Sequence, residues 1–377
     1  MNLIKSYACY NKNCNNRIKS SSGAVFSLLA EDVLMKKGVV YGVAMAEDCY
    51  SARFIEATDT EALKYLRGSK YLQASVGSTY SKVRKNLKSG KLVLFSGTSC
   101  QVNGLKRFLG KDYDNLICLD VICHGVPSPK LWRKYVKYQE HTYEGKMISV
   151  NFRCKDNCWS DYGVSEVFTG CEEISHYISV KSDSYMQFFL RDYSLRPSCY
   201  CCTDKENKLS DLTIADFWGI DEVLPDMNDE KGVSLVLTRT KKGQEIFANV
   251  MSELEVSEVT YADGVKKNPS EYESVYMPLQ RKNFFRDMNR MSYKRLEYKY
   301  LKSSIHGKLF AICNKVIKVK PERKCSGCSA CYAVCPKNAI MMVEDKEGFL
   351  YPQIDKNKCV ECGRCDEVCE REKVYAN

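Results

Sequence analysis

The stretch Cys325–Pro336, CSGCSACYAVCP, places four cysteines close together, with a proline directly after the fourth. The same spacing, C-x2-C-x2-C-x3-C, recurs at residues 359–369 in CVECGRCDEVC. Three thiolates separated by two residues can surround one face of a four-iron cluster, while the fourth thiolate reaches a second cluster. The repeat therefore predicts two [4Fe–4S] clusters, one on Cys325, Cys328, Cys331 and Cys369 and the other on Cys335, Cys359, Cys362 and Cys365.

A zinc site is the alternative interpretation of this cysteine pattern. Zinc takes four ligands at looser spacing and does not require a duplicated motif, so iron–sulfur binding is favoured. Between the repeats, AIMMVEDKEGFLYPQID has two short apolar segments around DKEG, which predicts a β-hairpin. This tail resembles a bacterial two-cluster ferredoxin, a carrier of single electrons. The resemblance implies a small α+β domain at residues 321–377, following a body of residues 1–320.

Composition restricts the class of protein. The chain has 377 residues, 21 cysteines and a net charge of +10, and a basic body can receive acidic partners or phosphate-bearing cofactors. An odd cysteine count without a signal-peptide pattern argues against a secreted disulfide framework. No apolar run reaches the roughly 18 residues of a membrane span. We therefore expect a cytoplasmic protein.

The body alternates predicted helices and strands. GVVYGVAMA reads as a buried strand, and TYSKVRKNLKSGKLVLFSGTSCQVNGLKRFLG reads as helix, strand, turn and helix. DNLICLDVICHGVPSPKLWRKYV repeats this order, with a strand that we expect to end at residues 123–125. The alternation predicts a mixed α/β body whose loops gather at strand ends.

Four body cysteines are candidates for a third cluster. Cys100 and Cys123 follow two of the predicted strands, and RPSCYCC supplies Cys199 and Cys202 with two residues between them. Together they make a plausible four-thiolate site. The alternative is that Cys100 and Cys123 are small buried residues, because free cysteine is often simply buried.

The segment SSSGAVFSLLAEDVLMKKG, residues 20–38, predicts a helix with serines and a glycine leading into it. Exposed amides at such an N-terminus suit a phosphate group. An ordinary serine cap explains the same residues without any ligand.

Six ordered motifs of the body resemble the beta subunit of coenzyme F420-reducing hydrogenase and its dehydrogenase relatives. They are SSSGAVFSLLA, LRGSKYLQ, FSGTSCQVNGLKRFLG, LDVICHGVPSPKLW, LRPSCYCC and LTIADFWGI. The resemblance implies an iron–sulfur flavoprotein in which FAD lies beside a [4Fe–4S] cluster and exchanges electrons with a deazaflavin or another acceptor. It implies that the body cysteines named above hold that cluster. It also assigns eight residues to motifs around the flavin: Ser21, Ser22, Gly23, Lys70, Gln73, Gly97, Thr98 and His124.

Some features depart from that pattern or have two interpretations. The family commonly has a second glycine at Ala24 and a proline at Ser99, and Cys202 is preferred over its neighbour Cys201 only by the C-x2-C register. His124 is the candidate catalytic residue, through a flavin hydrogen bond or a proton shuttle, although a packing role explains it equally well. The basic, aromatic residues 279–302 predict a linker helix that docks the tail or attracts an acidic electron-transfer partner, rather than a nucleic-acid site.

Together these observations predict an oxidoreductase that passes electrons between ferredoxin-type clusters and FAD, and on to a two-electron acceptor or back from a donor. The expected partners are a ferredoxin or another redox protein and a small-molecule acceptor or donor. A non-enzymatic electron-transfer subunit serving a separate catalytic chain is the alternative.

Overall fold

A computed structural model of the chain describes residues 4–302 and 325–369. Its centre is a nine-stranded sheet, whose strands are β1 Lys5–Asn11, β2 Val39–Met45, β3 Ala52–Ala57, β4 Ala74–Ser75, β5 Val93–Thr98, β6 Leu116–Val121, β10 Leu212–Asp216, β11 Ser234–Thr238 and β12 Leu254–Val259. Their order across the sheet is β12-β1-β11-β10-β6-β5-β2-β3-β4. Strands β10, β6, β5 and β2 run parallel to one another, while β11, β1 and β12 pair antiparallel.

Helices cover both faces of this sheet. The body helices are α1 Cys14–Ile18, α2 Val25–Met35, α3 Thr60–Leu66, α4 Thr79–Lys88, α5 Ser99–Leu109, α6 Pro129–Thr142, α7 Ser184–Leu190, α8 Ile220–Val223, α9 Lys241–Val250, α10 Tyr261–Val265, α11 Arg281–Arg290 and α12 Tyr293–Glu297. On β5, Val93 and Phe95 join the core beneath α4, α5 and α6, while Leu94 faces the core beneath α2 and α9. Alternate side chains of a strand point to opposite faces, so one apolar run fills two cores.

A second, antiparallel sheet stands beside the first. It contains β7 Lys146–Cys154, β8 Gly163–Thr169 and β9 Glu173–Ser179 in that order. The tail adds a hairpin of β13 Ile340–Glu344 and β14 Leu350–Ile354, with short helices α13 Ala330–Val334 and α14 Arg364–Glu367. The mixed α/β body, the small α+β tail and the predicted hairpin are therefore confirmed.

Residues 279–302 do not form the single linker helix that the sequence predicts. Helix α11 is followed by Met291, whose backbone is extended, and Ser292 begins α12 by accepting a hydrogen bond from the Arg295 amide. The aromatic side chains of this segment, including Phe284 and Tyr300, are buried in the core shared with the tail. The free energy gained by burying these rings outweighs the tendency of the basic side chains to keep the segment in solvent. The segment therefore belongs to the body core.

Strand β6 is also shorter than predicted, because it ends at Val121 and leaves residues 123–125 in a loop. The predicted boundary at residues 320 and 321 lies outside the described residues. No helix within residues 4–302 or 325–369 has the length and apolar character needed to cross a membrane.

Candidate redox site

The carboxyl ends of the parallel strands bring the body cysteines together. Cys100 lies in the first turn of α5, directly after β5, and Cys123 lies two residues beyond β6. Thr98 and Gln101 form a reciprocal capping box that fixes this end of α5. Cys199 lies in a turn of 3₁₀-helix at Pro197–Cys201, and Cys202 follows it. The rule that ligands bind at the carboxyl edge of parallel strands applies here.

The pKa values of these thiols show that they are neighbours. Burial, with smaller contributions from the neighbouring thiols of Cys199 and Cys202, raises the pKa of Cys123 to about 12. Burial also raises the pKa of Cys100 well above its usual value, with Asp204, Cys202 and Cys123 adding to the rise. Buried thiols at such pKa values need a cationic group before they ionise, and iron supplies that charge. The four side chains therefore fit an iron–sulfur cluster.

The cysteines of the first tail set also lie close together. This set contains Cys325, Cys328, Cys331 and Cys369. The peptide turns sharply at Gly327, with φ +71°, and at Ser329, with φ +65°, before α13 begins. Burial raises the pKa of the Cys331 thiol, and the neighbouring thiols of Cys328, Cys325 and Cys369 raise it further. The fourth cysteine of the second repeat thus lies beside the first three of the opening repeat, as the exchange of ligands between repeats requires.

The second tail set lines a small cavity of its own. Its four thiol-bearing residues are Cys335, Cys359, Cys362 and Cys365, and the remaining wall includes Ile340, Ile354 and Val360. Cys365 is buried, whereas Cys362 is exposed. The apolar residues of the wall and the exposed Cys362 fit a cluster with one side open to solvent. In the described ranges no three or more His, Cys, Asp or Glu side chains are arranged to bind a single metal ion.

A cavity of about 540 Å³ lies beside the body cysteines. Its wall includes seven of the eight residues assigned to the flavin by resemblance: Ser21, Ser22, Lys70, Gln73, Gly97, Thr98 and His124. Cys100 and Cys123 line the same cavity. The volume is ordinary for a cofactor site. One cavity therefore joins the flavin motifs to the body cysteine set.

Gly23 does not line this cavity. A Cβ on Gly23 would lie 2.5 Å from the Cys9 carbonyl oxygen, so this glycine lets the segment pass tightly over β1. Ala24 follows with φ +67° and begins α2 without a side-chain cap, so the serine-cap interpretation is wrong. Ser22 Oγ instead donates to the Val233 carbonyl at 2.8 Å. The amides of the first turn of α2 thus remain without a capping side chain beside the cavity.

Lys70 supplies a positive charge at the same end. Its Nζ donates to the carbonyl oxygens of Tyr65, at 2.8 Å, and Arg67, at 2.6 Å. Burial lowers the pKa of Lys70 to about 7. Ser21 accepts a hydrogen bond from the Ser69 amide at 3.0 Å, which ties this loop to the start of α2. Lysine, serine and helix amides together match the chemistry of a phosphate group.

His124 occupies the cavity wall near the cysteines. Its Nε2 lies 2.7 Å from Asp192 Oδ1, and its ring meets the Phe189 ring edge-on with centroids 5.1 Å apart. Asp192, which sequence analysis missed, holds a left-handed backbone with φ +61°. The pair can hold or move a proton at the imidazole.

Arg153 is a second residue that sequence analysis missed. It is buried at the end of β7, pairs with Asp216 at 2.9 Å and stacks over the Tyr162 ring at 3.8 Å. Asp216 and Trp218 also line the cavity. No spacing signal could have found Arg153, because it reaches the cavity from the separate sheet β7-β8-β9.

Gln73 connects the cavity to the tail. Its Oε1 accepts a hydrogen bond from the Leu350 amide at 3.0 Å, while Gly327 of the tail passes close to its Nε2. Ser326 and Gly327 also line the cavity. The tail therefore completes the wall of the cavity.

Comparisons with known proteins identify two parts of the chain. Residues 90–262 match the family model for the C-terminal domain of the coenzyme F420 hydrogenase/dehydrogenase beta subunit, and residues 324–372 match a 4Fe-4S dicluster domain. Among solved structures, the F420-reducing [NiFe] hydrogenase complex of Methanosarcina barkeri aligns with a TM-score of 0.45 at 15% identity, covering 67% of this chain and 81% of that one.

Curated relatives match over short segments. One subunit of the H(2):CoB-CoM heterodisulfide,ferredoxin reductase of Methanothermobacter marburgensis is 37% identical over 78 residues, covering 15% of this chain and 12% of that protein. One subunit of the Na(+)-translocating ferredoxin:NAD(+) oxidoreductase complex of Acetobacterium woodii is 43% identical over 47 residues, covering 12% and 13%. The matches thus span about an eighth of each relative. Residues 90–262 are therefore similar to the C-terminal domain of the coenzyme F420 hydrogenase/dehydrogenase beta subunit, and they are followed by a segment similar to a 4Fe-4S dicluster domain.

Proposed function

We propose that the chain is an FAD-dependent iron–sulfur oxidoreductase. The observation that carries the proposal is the single cavity whose wall contains both the flavin motifs and two of the four body cysteines. Bound flavin would convert single electrons into a two-electron transfer. Two electrons that arrive singly would combine with one proton and pass as a hydride to a deazaflavin or another two-electron acceptor. In the reverse direction, a hydride from a reduced donor would leave as two single electrons and a proton.

The chain's own residues have defined roles in this proposal. The cysteines at the ends of β5 and β6, with Cys199 and Cys202, hold a cluster against one wall of the cavity. Ser21, Ser22 and Lys70 bind the phosphate end of the flavin, and His124 holds a proton beside the reacting end. Arg153, which lies 3.4 Å from the Ser21 carbonyl oxygen, and Trp218 line the same cavity and would exclude water.

A second candidate function is an electron-transfer subunit without a substrate of its own. The curated relatives favour it, because two of them are named as subunits of larger redox enzymes. Both candidates predict the same clusters. They differ in whether the isolated chain reduces a two-electron acceptor, so a screen of acceptors with the ferredoxin-reduced protein distinguishes them.

The Cys335→Ser variant is expected to lose the second tail cluster and retain the flavin. Cys335 lines the small outer cavity, which shares no wall residue with the large one. Reduction of the flavin by ferredoxin is therefore expected to fall sharply, while direct chemical reduction continues. Stopped-flow flavin absorbance measures both rates. The half-buried Cys158, outside all three cysteine sets, provides a matched Cys158→Ser control. Loss of flavin from the Cys335 variant would contradict the separation of the two sites.

Flavin affinity is expected to weaken as the pH rises above about 7. Burial lowers the pKa of Lys70 to about 7, so above that pH the empty site holds a neutral amine. An anionic phosphate favours the ammonium form, and binding must then take up a proton. FAD titrations of the flavin-free protein between about pH 6 and 9 measure this dependence.

Two substitutions test the role of Lys70. Lys70→Arg keeps its charge throughout this range and is expected to abolish the pH dependence. Lys70→Met is expected to cost about 1.5–3 kcal/mol of binding free energy at the low end of the range. Lys64, an exposed lysine of α3, provides the matched Lys64→Met control. Unchanged affinity in Lys70→Met would place the phosphate elsewhere.

A further inference from the structure

Helix α5 carries Cys100 and Gly104 on the same face, one turn apart, because residues four apart are neighbours on a helix. Cys100 belongs to the body set. A Cβ on Gly104 would lie 2.9 Å from the Cβ of Cys328 and 3.2 Å from its Sγ. Cys328 of the first tail set therefore occupies the space of the missing side chain. The two cysteine sets approach each other within about one helical turn, roughly 5.4 Å, along α5.

Tyr80 of α4 lies at the same junction. It is fully buried, and its hydroxyl donates to the Gln101 carbonyl oxygen at 2.7 Å. The hydroxyl lies 3.0 Å from the position of a Gly104 Cβ. Burial raises the pKa of Tyr80 well above its usual value, and the thiols of Cys328 and Cys100 raise it further. The Tyr80 hydroxyl therefore lies close to one thiol of each of the two sets.

Arg196 places a buried positive charge between the same two sets. Its side chain is almost fully buried, and its Nε donates to the Cys325 carbonyl oxygen at 2.9 Å. Burial raises the pKa of the Cys199 thiol to about 11, and the Arg196 charge opposes that rise. Its Nη1 has no hydrogen-bond partner within residues 4–302 and 325–369 and lies 2.9 Å from the position of a Cβ on Gly327. A buried guanidinium donor without a partner fits an anionic group held by these cysteines.

We propose that the first tail set and the body set form an adjacent pair, with Gly104 fixing their closest approach and Arg196 supplying a shared positive charge. The second tail set is then the outer one, where the exposed Cys362 offers the entry point for a redox partner. This inference rests on the proposed function, since it assumes that all three sets hold clusters. It assigns an order of electron transfer from the second tail set to the first tail set, then to the body set, and finally to the flavin cavity.

The Gly104→Ala variant tests the contact directly. The added methyl group cannot fit at 2.9 Å from the Cβ of Cys328, so the tail must shift away from α5. We expect full iron and flavin content, a weaker magnetic interaction between reduced clusters in electron paramagnetic resonance, and flavin reduction by ferredoxin slowed about tenfold, because transfer depends steeply on positioning. Gly264→Ala adds the same methyl group to α10 against the flexible Leu235 side chain and is the matched control, with unchanged spectra expected.

A pair of ligand substitutions tests the order without relying on Gly104. In Cys362→Ser the magnetic interaction that involves the body cluster is expected to persist, whereas in Cys328→Ser it is expected to disappear. The reverse result, or a wild-type interaction and rate in a fully iron-loaded Gly104→Ala protein, would overturn the inference. Wild-type protein lacking iron at any of the three sets would instead count against the proposed function.

Discussion

Replacing Cys123 with serine is expected to remove about four iron atoms per chain and to stop ferredoxin from reducing the flavin. Serine is nearly isosteric with cysteine but is a poor ligand for iron. If Cys123 were only a buried small residue, the new hydroxyl would cost at most about 1–3 kcal/mol of stability, and the iron content would not change. The two interpretations thus predict opposite results from one conservative change.

Cys118 provides the matched control for this variant. It lies on β6, five residues before Cys123, and is fully buried, with a thiol pKa that burial raises to about 12. It belongs to none of the three sets, so Cys118→Ser is expected to keep all its iron. Cys100→Ser is expected to behave like the Cys123 variant. Iron analysis and flavin absorbance after anaerobic purification measure both effects, and unchanged iron in both ligand variants would remove the body cluster.

The Arg281→Met variant is expected to lose about 3–5 kcal/mol of stability, because it leaves a partly buried carboxylate without its partner. Arg281 of α11 binds Glu347 of the tail through two hydrogen bonds of 2.9 and 2.6 Å, and it also donates to the Leu195 carbonyl oxygen. Its side chain is only 7% exposed. The bridge therefore fixes the tail hairpin on the body.

A second ion pair between body and tail provides the control. Arg133 of α6 binds Glu344 through two hydrogen bonds, but the two side chains are 29% and 40% exposed. Solvent screens such a pair, so Arg133→Met is expected to cost less than about 1 kcal/mol. Anaerobic thermal unfolding measures both variants, and the Arg281 variant is expected to unfold several degrees lower. Equal midpoints for the two variants would contradict the buried bridge.

Local patterns determined much of what could be predicted. The duplicated cysteine spacing indicated two tail sets, and the structure places Cys369 beside the first repeat as the exchange of ligands requires. The strand-end positions of Cys100 and Cys123 indicated a shared edge because parallel strands end on one side of a sheet. Both inferences needed only the local spacing of residues along the sequence.

Long-range packing accounts for what could not be predicted. The contact between Gly104 and Cys328 joins residues more than two hundred positions apart, and a helical glycine gives no sign of what fills its space. Arg153 reaches the cavity from a separate sheet, and Asp192 reaches His124 through an unusual backbone conformation. The basic segment 279–302 was predicted as one linker helix because charge dominates its composition, whereas its buried aromatic side chains place it in the body core.

Iron and flavin content of the anaerobically purified chain tests the central claim most directly. Three four-cysteine sets beside one flavin cavity predict about twelve iron atoms and about one FAD per chain. Inductively coupled plasma analysis gives the iron, and release of the flavin by denaturation gives the cofactor. About eight iron atoms, or no flavin in a chain that holds its iron, would contradict the account.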